Sequence, residues 1–163
     1  MNWDKLFTKQ YQLDQYIIQN HQLENEDLFE ERFLALLVEL GELANETRCF
    51  KYWSEKAPSP NSVILEEYVD NIHFLLSLGL EKGFQYSEID TPIVVDDVTA
   101  TEQFNHVFQK GLAFYTKPTE LAYIALFQAY LQLASILGFS VADIFEAYDE
   151  KNEVNYERQD QGY

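Results

Sequence analysis

Cysteine, glycine and proline are all scarce in this 163-residue chain. A single cysteine, Cys49, excludes an internal disulfide and fits a reducing compartment. The chain has only 6 glycines and 4 prolines, and the prolines fall between periodic segments, which is typical of a helical protein. Apolar residues make up 47% of the chain and aromatics 15%, so the composition provides for a sizeable core and excludes a disordered chain.

Basic residues are scarce as well. The chain contains 11 Lys and Arg residues and 28 Asp and Glu residues, so its formal charge is −17. This charge argues against a nucleic acid or an anionic membrane as partner. The chain has neither a G-x-S-x-G elbow nor a Gly-rich phosphate loop. Residues 1–5 do not resemble a signal peptide, and no apolar run reaches the roughly 20 residues of a membrane span. We expect a cytoplasmic protein.

The hydrophobic periodicity predicts an all-α fold, a bundle of about six helices in one domain spanning residues 1–163. The fifth helix is apolar nearly all round, so it is either central or part of an oligomer interface. Ser62 and Thr101 are predicted N-caps. The irregular stretch 84–100 is either a functional lid or a solvated connector. The helices are predicted at residues 3–19, 28–50, 62–82, 102–115, 119–137 and 141–157.

Carboxylates embedded in apolar helices are the feature that points to function. Glu39 and Glu42 lie one turn apart in the second helix, and Glu67 and Asp70 repeat that spacing in the third. Like charges at this spacing cost a few tenths of a kcal/mol even when exposed, and more beside a core. Two facing helices with such pairs would form an oxygen cage suited to Mg²⁺. The alternative is two solvated acidic faces.

The C-terminal segment has the opposite chemistry. Lys151, Asn155 and Arg158 recur at helical spacing, so they share one face of the sixth helix. Cationic and amide groups are suitable donors to phosphate oxygens. Favourable charge at a helix C-terminus, with intrahelical pairs to nearby glutamates, explains the same pattern without a ligand.

The acidic pattern resembles a known signature. Glu39-x-x-Glu42, 24 intervening residues and Glu67-x-x-Asp70 look like the metal-binding motif of the all-α nucleoside triphosphate pyrophosphohydrolases, which include MazG-type enzymes and dimeric dUTPases. The chain most resembles the dimeric dUTPases of Gram-positive bacteria and their phages. Three further stretches carry this closer likeness: the first helix with Gln10 and Asp14, the segment 50–53, and the tail from Lys151 to residue 163.

The resemblance implies a Mg²⁺-dependent homodimer that hydrolyses dUTP to dUMP and pyrophosphate and so limits uracil in DNA. Glu39, Glu42, Glu67 and Asp70 would be the catalytic metal ligands. The implied substrate contacts are Lys151, Asn155 and Arg158 for phosphate, Lys51 and Trp53 for the nucleotide, and Gln10 and Asp14 for base or sugar.

Two alternatives are open. One is a related pyrophosphohydrolase acting on dCTP or a modified nucleotide, because the base pocket cannot be read from the sequence. The other is a helical interaction protein whose acids are only surface groups. His73, one turn after Asp70, fits a hydrogen-bonded core histidine better than a ligand.

Overall fold

The structure is a computed structural model that describes residues 2–87 and 97–162. Within these residues the chain is all-α, as predicted, and contains no strand. The middle of the stretch 84–100, residues 88–96, lies outside the described residues, as does Tyr163. Six helices follow one another: α1 (Trp3–His21), α2 (Phe29–Thr47), α3 (Asn61–Lys82), α4 (Ala100–Thr116), α5 (Glu120–Leu137) and α6 (Val141–Asp160).

Helix α3 is the centre of the bundle, because it contacts α1, α2, α5 and α6. Its closest partner, α2, runs antiparallel to it. Arg32 near the start of α2 pairs with Glu81 near the end of α3, and Glu46 near the end of α2 accepts a hydrogen bond from Ser59, just before α3. This pairing brings the acidic stretches of the two helices side by side.

Several helix boundaries differ from the predictions, and three of the differences have a clear local cause. Helix α3 begins at Asn61 after Pro60, so Ser62 is not its N-cap. Helix α4 begins at Ala100, because Thr99 forms a capping box with Glu102, and Thr101 instead donates to the backbone carbonyl of Cys49. Helix α2 ends at Thr47 rather than residue 50, since Arg48 takes a left-handed conformation (φ 57°).

Helix α5 is largely a core helix. It packs on α4 and α3, and its buried aromatic side chains are Tyr123, Phe127 and Tyr130. Phe127 meets the ring of Trp3 edge-on at 5.0 Å, which fixes α5 against the start of α1. By length and composition α5 could cross a membrane, but core helices of soluble proteins pass the same test. Leu121 at its start is 81% exposed.

Candidate active site

Three of the four predicted metal ligands meet in one cluster. Carboxylate oxygens of Glu39 on α2 and of Glu67 and Asp70 on α3 all lie within 4.8 Å of one another. Because Glu67 and Asp70 are one helical turn apart, both face α2 at the level of Glu39. Glu42 is more exposed and lies outside this trio, but its charge acts on both Glu39 and Glu67.

The charge of the trio is poorly compensated. Burial, together with the charges of Asp70, Glu42 and Glu67, raises the pKa of Glu39 to about 7. Burial and neighbouring carboxylates also raise the pKa of Glu67. The pKa of Asp70 is raised chiefly by burial, although Lys151 opposes the shift. Three oxygen ligands that repel one another form a site suited to a hard divalent cation.

Lys151 of α6 reaches the cluster through Asp70. Its ammonium nitrogen lies 2.8 Å from Asp70 Oδ2 and 2.9 Å from Glu66 Oε1. Burial lowers the pKa of Lys151, but hydrogen bonds to Asp70 and Glu66 outweigh that effect and raise it. The sequence predicted this lysine as a phosphate contact, whereas here it is paired with an acid of the cluster.

A cavity of about 460 Å³ extends from the cluster between α1, α2, α3 and α6. Its volume falls within the range of small-molecule sites. Glu39 and Asp70 lie at its wall, so the cluster and the cavity form one site. Four of the predicted substrate contacts line it: Gln10, Asp14, Asn155 and Arg158.

A hydrogen-bonded network fixes the polar wall of the cavity. The Gln10 amide nitrogen donates to Asp14 Oδ1 (2.8 Å) and to Ser77 Oγ (3.0 Å). The Gln10 carbonyl oxygen accepts from the Tyr148 hydroxyl (2.8 Å) and bonds to His73 Nδ1 (2.7 Å). The carboxylate of Asp14 accepts a hydrogen bond, so the nitrogen of the Gln10 amide must point toward it. In this orientation, all four hydrogen-bonding positions of the amide have partners within the protein.

The same network determines the protonation of His73. Gln10 Oε1 can only accept, so Nδ1 must carry the ring proton. Burial lowers the pKa of His73 to about 3, which keeps the ring neutral. Its Nε2 has no hydrogen-bond partner among the described residues. The predicted core histidine is therefore buried, and only one of its two ring nitrogens has a hydrogen bond. The residue lines the cavity.

Sequence reasoning missed several residues of this wall. Arg32 lines the cavity and lies 3.7 Å from Asp14 Oδ2, and Ser77 donates to Asp14 Oδ1. One signal was present in the sequence: Asp70, His73 and Ser77 recur at i, i+3 and i+7 and so share a face of α3. Arg32 had no comparable pattern around it.

Two predicted substrate residues lie away from the cavity. Lys51 and Trp53 follow the end of α2 and are not among the residues that line it. The Trp53 side chain is 64% exposed and contacts the rings of Phe50 and Tyr52. Lys51 lies over the Phe50 ring at 5.5 Å. Their role in nucleotide binding stays a prediction.

The comparison with known families agrees with this geometry. A family model described as dUTPase matches residues 2–163. The chain belongs to the dUTPase family. It is accordingly a hydrolase, a dUTP diphosphatase, whose substrate is a nucleotide. No curated protein matches the chain. The dUTPase fold described above thus places an acidic cluster that could hold a divalent metal beside a cavity of nucleotide size.

Proposed function

We propose that this dUTPase depends on Mg²⁺ held by Glu39, Glu67 and Asp70, with Glu42 as a further ligand. The supporting observation is the convergence of the first three carboxylates within 4.8 Å, with two of them, Glu39 and Asp70, at the wall of the cavity. Carboxylate oxygens are the ligands that Mg²⁺ prefers, and the raised pKa values are typical of a site that needs a cation. When bound, the metal neutralises the repulsion between the carboxylates and the triphosphate and polarises the phosphorus.

Glu39 is our proposed general base. It is half-buried and lies at the wall of the cavity, where a carboxylate can accept a proton from a water beside the phosphates. It would orient the attacking water and accept its proton as the oxygen bonds to phosphorus. The phosphoanhydride bond then breaks, giving dUMP and pyrophosphate.

The nucleotide would lie along the cavity with its phosphates toward the acidic cluster. Arg158 and Asn155 of α6 line the cavity and carry the donors that phosphate oxygens accept. At the polar wall, Asp14 is better placed than Gln10 for direct contact, because every polar position of the Gln10 amide already has a protein partner. Gln10 would then hold Asp14 in place.

We propose a cytoplasmic homodimer that associates through one face of α2 and α4. Leu34 and Val38 on α2 and Leu112 on α4 are exposed large hydrophobic residues. The two helices pair in antiparallel fashion, since Phe33 stacks on Tyr115 near the end of α4. We propose that these side chains form one apolar stripe, defined here as Leu34, Val38 and Leu112. A second copy of the chain is also what could bring Lys51 and Trp53 to a nucleotide.

Pyrophosphate release from a panel of nucleotides tests the proposed function. We expect turnover of dUTP with Mg²⁺ and its loss with a chelator. Glu67→Gln should lower kcat/KM by about a hundredfold or more, whereas Glu153→Gln, at an exposed position on α6, should not. Full activity in chelator would refute the metal site, and equal turnover of dCTP would favour the alternative substrate.

Light scattering tests the homodimer. Leu34→Glu should shift the chain from dimer to monomer, because it puts a charge in the apolar stripe. Leu121→Glu on α5 is the matched control, since Leu121 is more exposed than Leu34 but lies outside the stripe. A monomeric wild-type protein would refute this association.

A further inference from the structure

Lys151 is a cation that contacts the acids beside the proposed metal position. Its residue is only 8% exposed, yet its ammonium group contacts two carboxylates. One of them, Asp70, belongs to the trio that meets within 4.8 Å. The other, Glu66, lies outside the trio, and its side chain is 58% exposed.

We infer that Lys151 is the built-in counter-ion of the acidic cluster, and that it must leave Asp70 when a divalent cation binds there. The inference rests on the metal site of the proposed function. It gives Lys151 two alternative sets of partners: Asp70 and Glu66 in the metal-free protein, and Glu66 with the substrate phosphates in the loaded one.

Electrostatics sets the Lys151 contact and a cation bound by Asp70 against each other. A cation coordinated by Asp70 would lie at about 2.0–2.1 Å from its oxygen, and the Lys151 nitrogen now lies 2.8 Å from Oδ2 of the same group. Two positive centres at such short separation in a half-buried site repel strongly, because the local dielectric is far below that of water. Lys151 therefore competes with the cation for Asp70.

Glu66 gives the displaced ammonium group a nearby partner. Because Glu66 is one turn before Asp70 on α3, Lys151 can keep its bond to Glu66 while releasing Asp70. It would then face the cavity as a cation available to a triphosphate. Metal binding would thus prepare the phosphate contact, and nucleotide binding would in turn favour the metal by holding Lys151 away from Asp70.

Metal binding without nucleotide provides the test, using Mn²⁺ as the probe and the full-length chain. Lys151→Met removes the competing charge while keeping most of the side-chain volume. We expect it to bind Mn²⁺ about tenfold more tightly than wild type. The control is Lys9→Met on α1. Lys9 pairs with Asp149, which lies on α6 like Lys151, and Lys9 contacts none of the trio. This variant should change Mn²⁺ affinity by less than about twofold.

The outcomes separate this inference from the proposed metal site. Equal or weaker Mn²⁺ binding by Lys151→Met would overturn the competition, while the metal site would stand. No Mn²⁺ binding by the wild type would overturn both.

A second measurement needs no variant. In wild type, acetylation of Lys151 followed by mass spectrometry should be faster with Mg²⁺ than with a chelator, whereas that of Lys9 should be unchanged. Equal rates at Lys151 in the two conditions would refute its displacement.

Discussion

Tyr68 and Tyr130 exchange hydrogen bonds across the contact between α3 and α5. The hydroxyl of Tyr68 donates to the backbone carbonyl of Tyr130 (2.9 Å), and the hydroxyl of Tyr130 donates to the carbonyl of Tyr68 (2.7 Å). The two rings stack at 4.4 Å and are fully buried. Because Tyr68 directly follows Glu67, this reciprocal pair holds the acidic turn of α3 in register with the core.

Tyr130→Phe should destabilise the fold by about 1–2 kcal/mol, because it removes a buried hydrogen bond and keeps the ring. Urea denaturation followed by circular dichroism measures the loss. Tyr52→Phe is the control, since Tyr52 is 94% exposed and should show no change. An unchanged free energy of unfolding for Tyr130→Phe would mean that the reciprocal pair does not stabilise the bundle.

Gly79→Ala should destabilise the protein by about 1–3 kcal/mol. A Cβ at this position would clash with the Tyr123 hydroxyl and lie 2.8 Å from the backbone oxygen of Phe84, so both α5 and the segment just after α3 would have to shift. Gly111→Ala is the matched helical control, because its Cβ would meet its nearest neighbours at 3.9 Å or more. It should leave the melting temperature unchanged or raise it. Equal effects of the two substitutions would refute the packing constraint.

In the metal-free protein, the Glu39 carboxyl should lower the free energy of unfolding as the pH rises from about 4.5 to 7. The folded chain keeps the Glu39 proton up to a pKa of about 7, whereas the unfolded chain releases it near 4.5, so deprotonation in this window opposes folding. The raised pKa values of Glu67 and Asp70 act in the same direction, whereas the pKa of His73, lowered by burial to about 3, acts against them up to its ordinary value of 6.5. Melting temperatures of wild type and Glu39→Gln across this range, measured in chelator and in Mg²⁺, separate the Glu39 contribution from that of His73.

The metal-free Glu39→Gln variant should be as stable as wild type near pH 4.5 and more stable near pH 7, while its turnover is lost. Mg²⁺ should remove the Glu39 contribution from the wild-type profile by compensating the carboxylates. A profile that is identical in wild type and Glu39→Gln would show that Glu39 is not the group that titrates.

Arg158→Ala should weaken binding of a non-hydrolysable dUTP analogue by about ten- to a hundredfold, the effect of losing a hydrogen bond to a charged group. Arg158 lines the cavity, and its charge already acts on Asp70. Calorimetric titration measures the affinity. Lys117→Ala, which removes an exposed charge at the end of α4, should bind like wild type. Unchanged affinity of Arg158→Ala would remove this residue from the site.

The sequence allowed the helices and the acidic cluster to be predicted because both rest on spacing. The i, i+3 repeat of Glu39/Glu42 and Glu67/Asp70 needs only helical geometry to place each pair on one face. Helix starts were harder. Thr99 caps α4 because Glu102 lies three residues later, whereas Thr101 has the right side chain without that partner.

The polar wall of the cavity was only partly predictable, because its contacts join residues far apart in the chain. Gln10 and Tyr148 are 138 positions apart and meet only when α1 and α6 pack together. Arg32 shows its relation to Asp14 only in three dimensions. The paired state of Lys151 was unexpected for the same reason, since its partner Asp70 lies on another helix.

The first and last helices both border the cavity, and this has a consequence for biosynthesis. Gln10 is translated early, whereas the groups of α6 that complete its surroundings, Tyr148 and Arg158, follow 138 and 148 positions later. A nascent chain that has not yet reached α6 therefore lacks one wall of the compartment for a nucleotide. The enzyme becomes competent only after α6 has been made and has packed against α1.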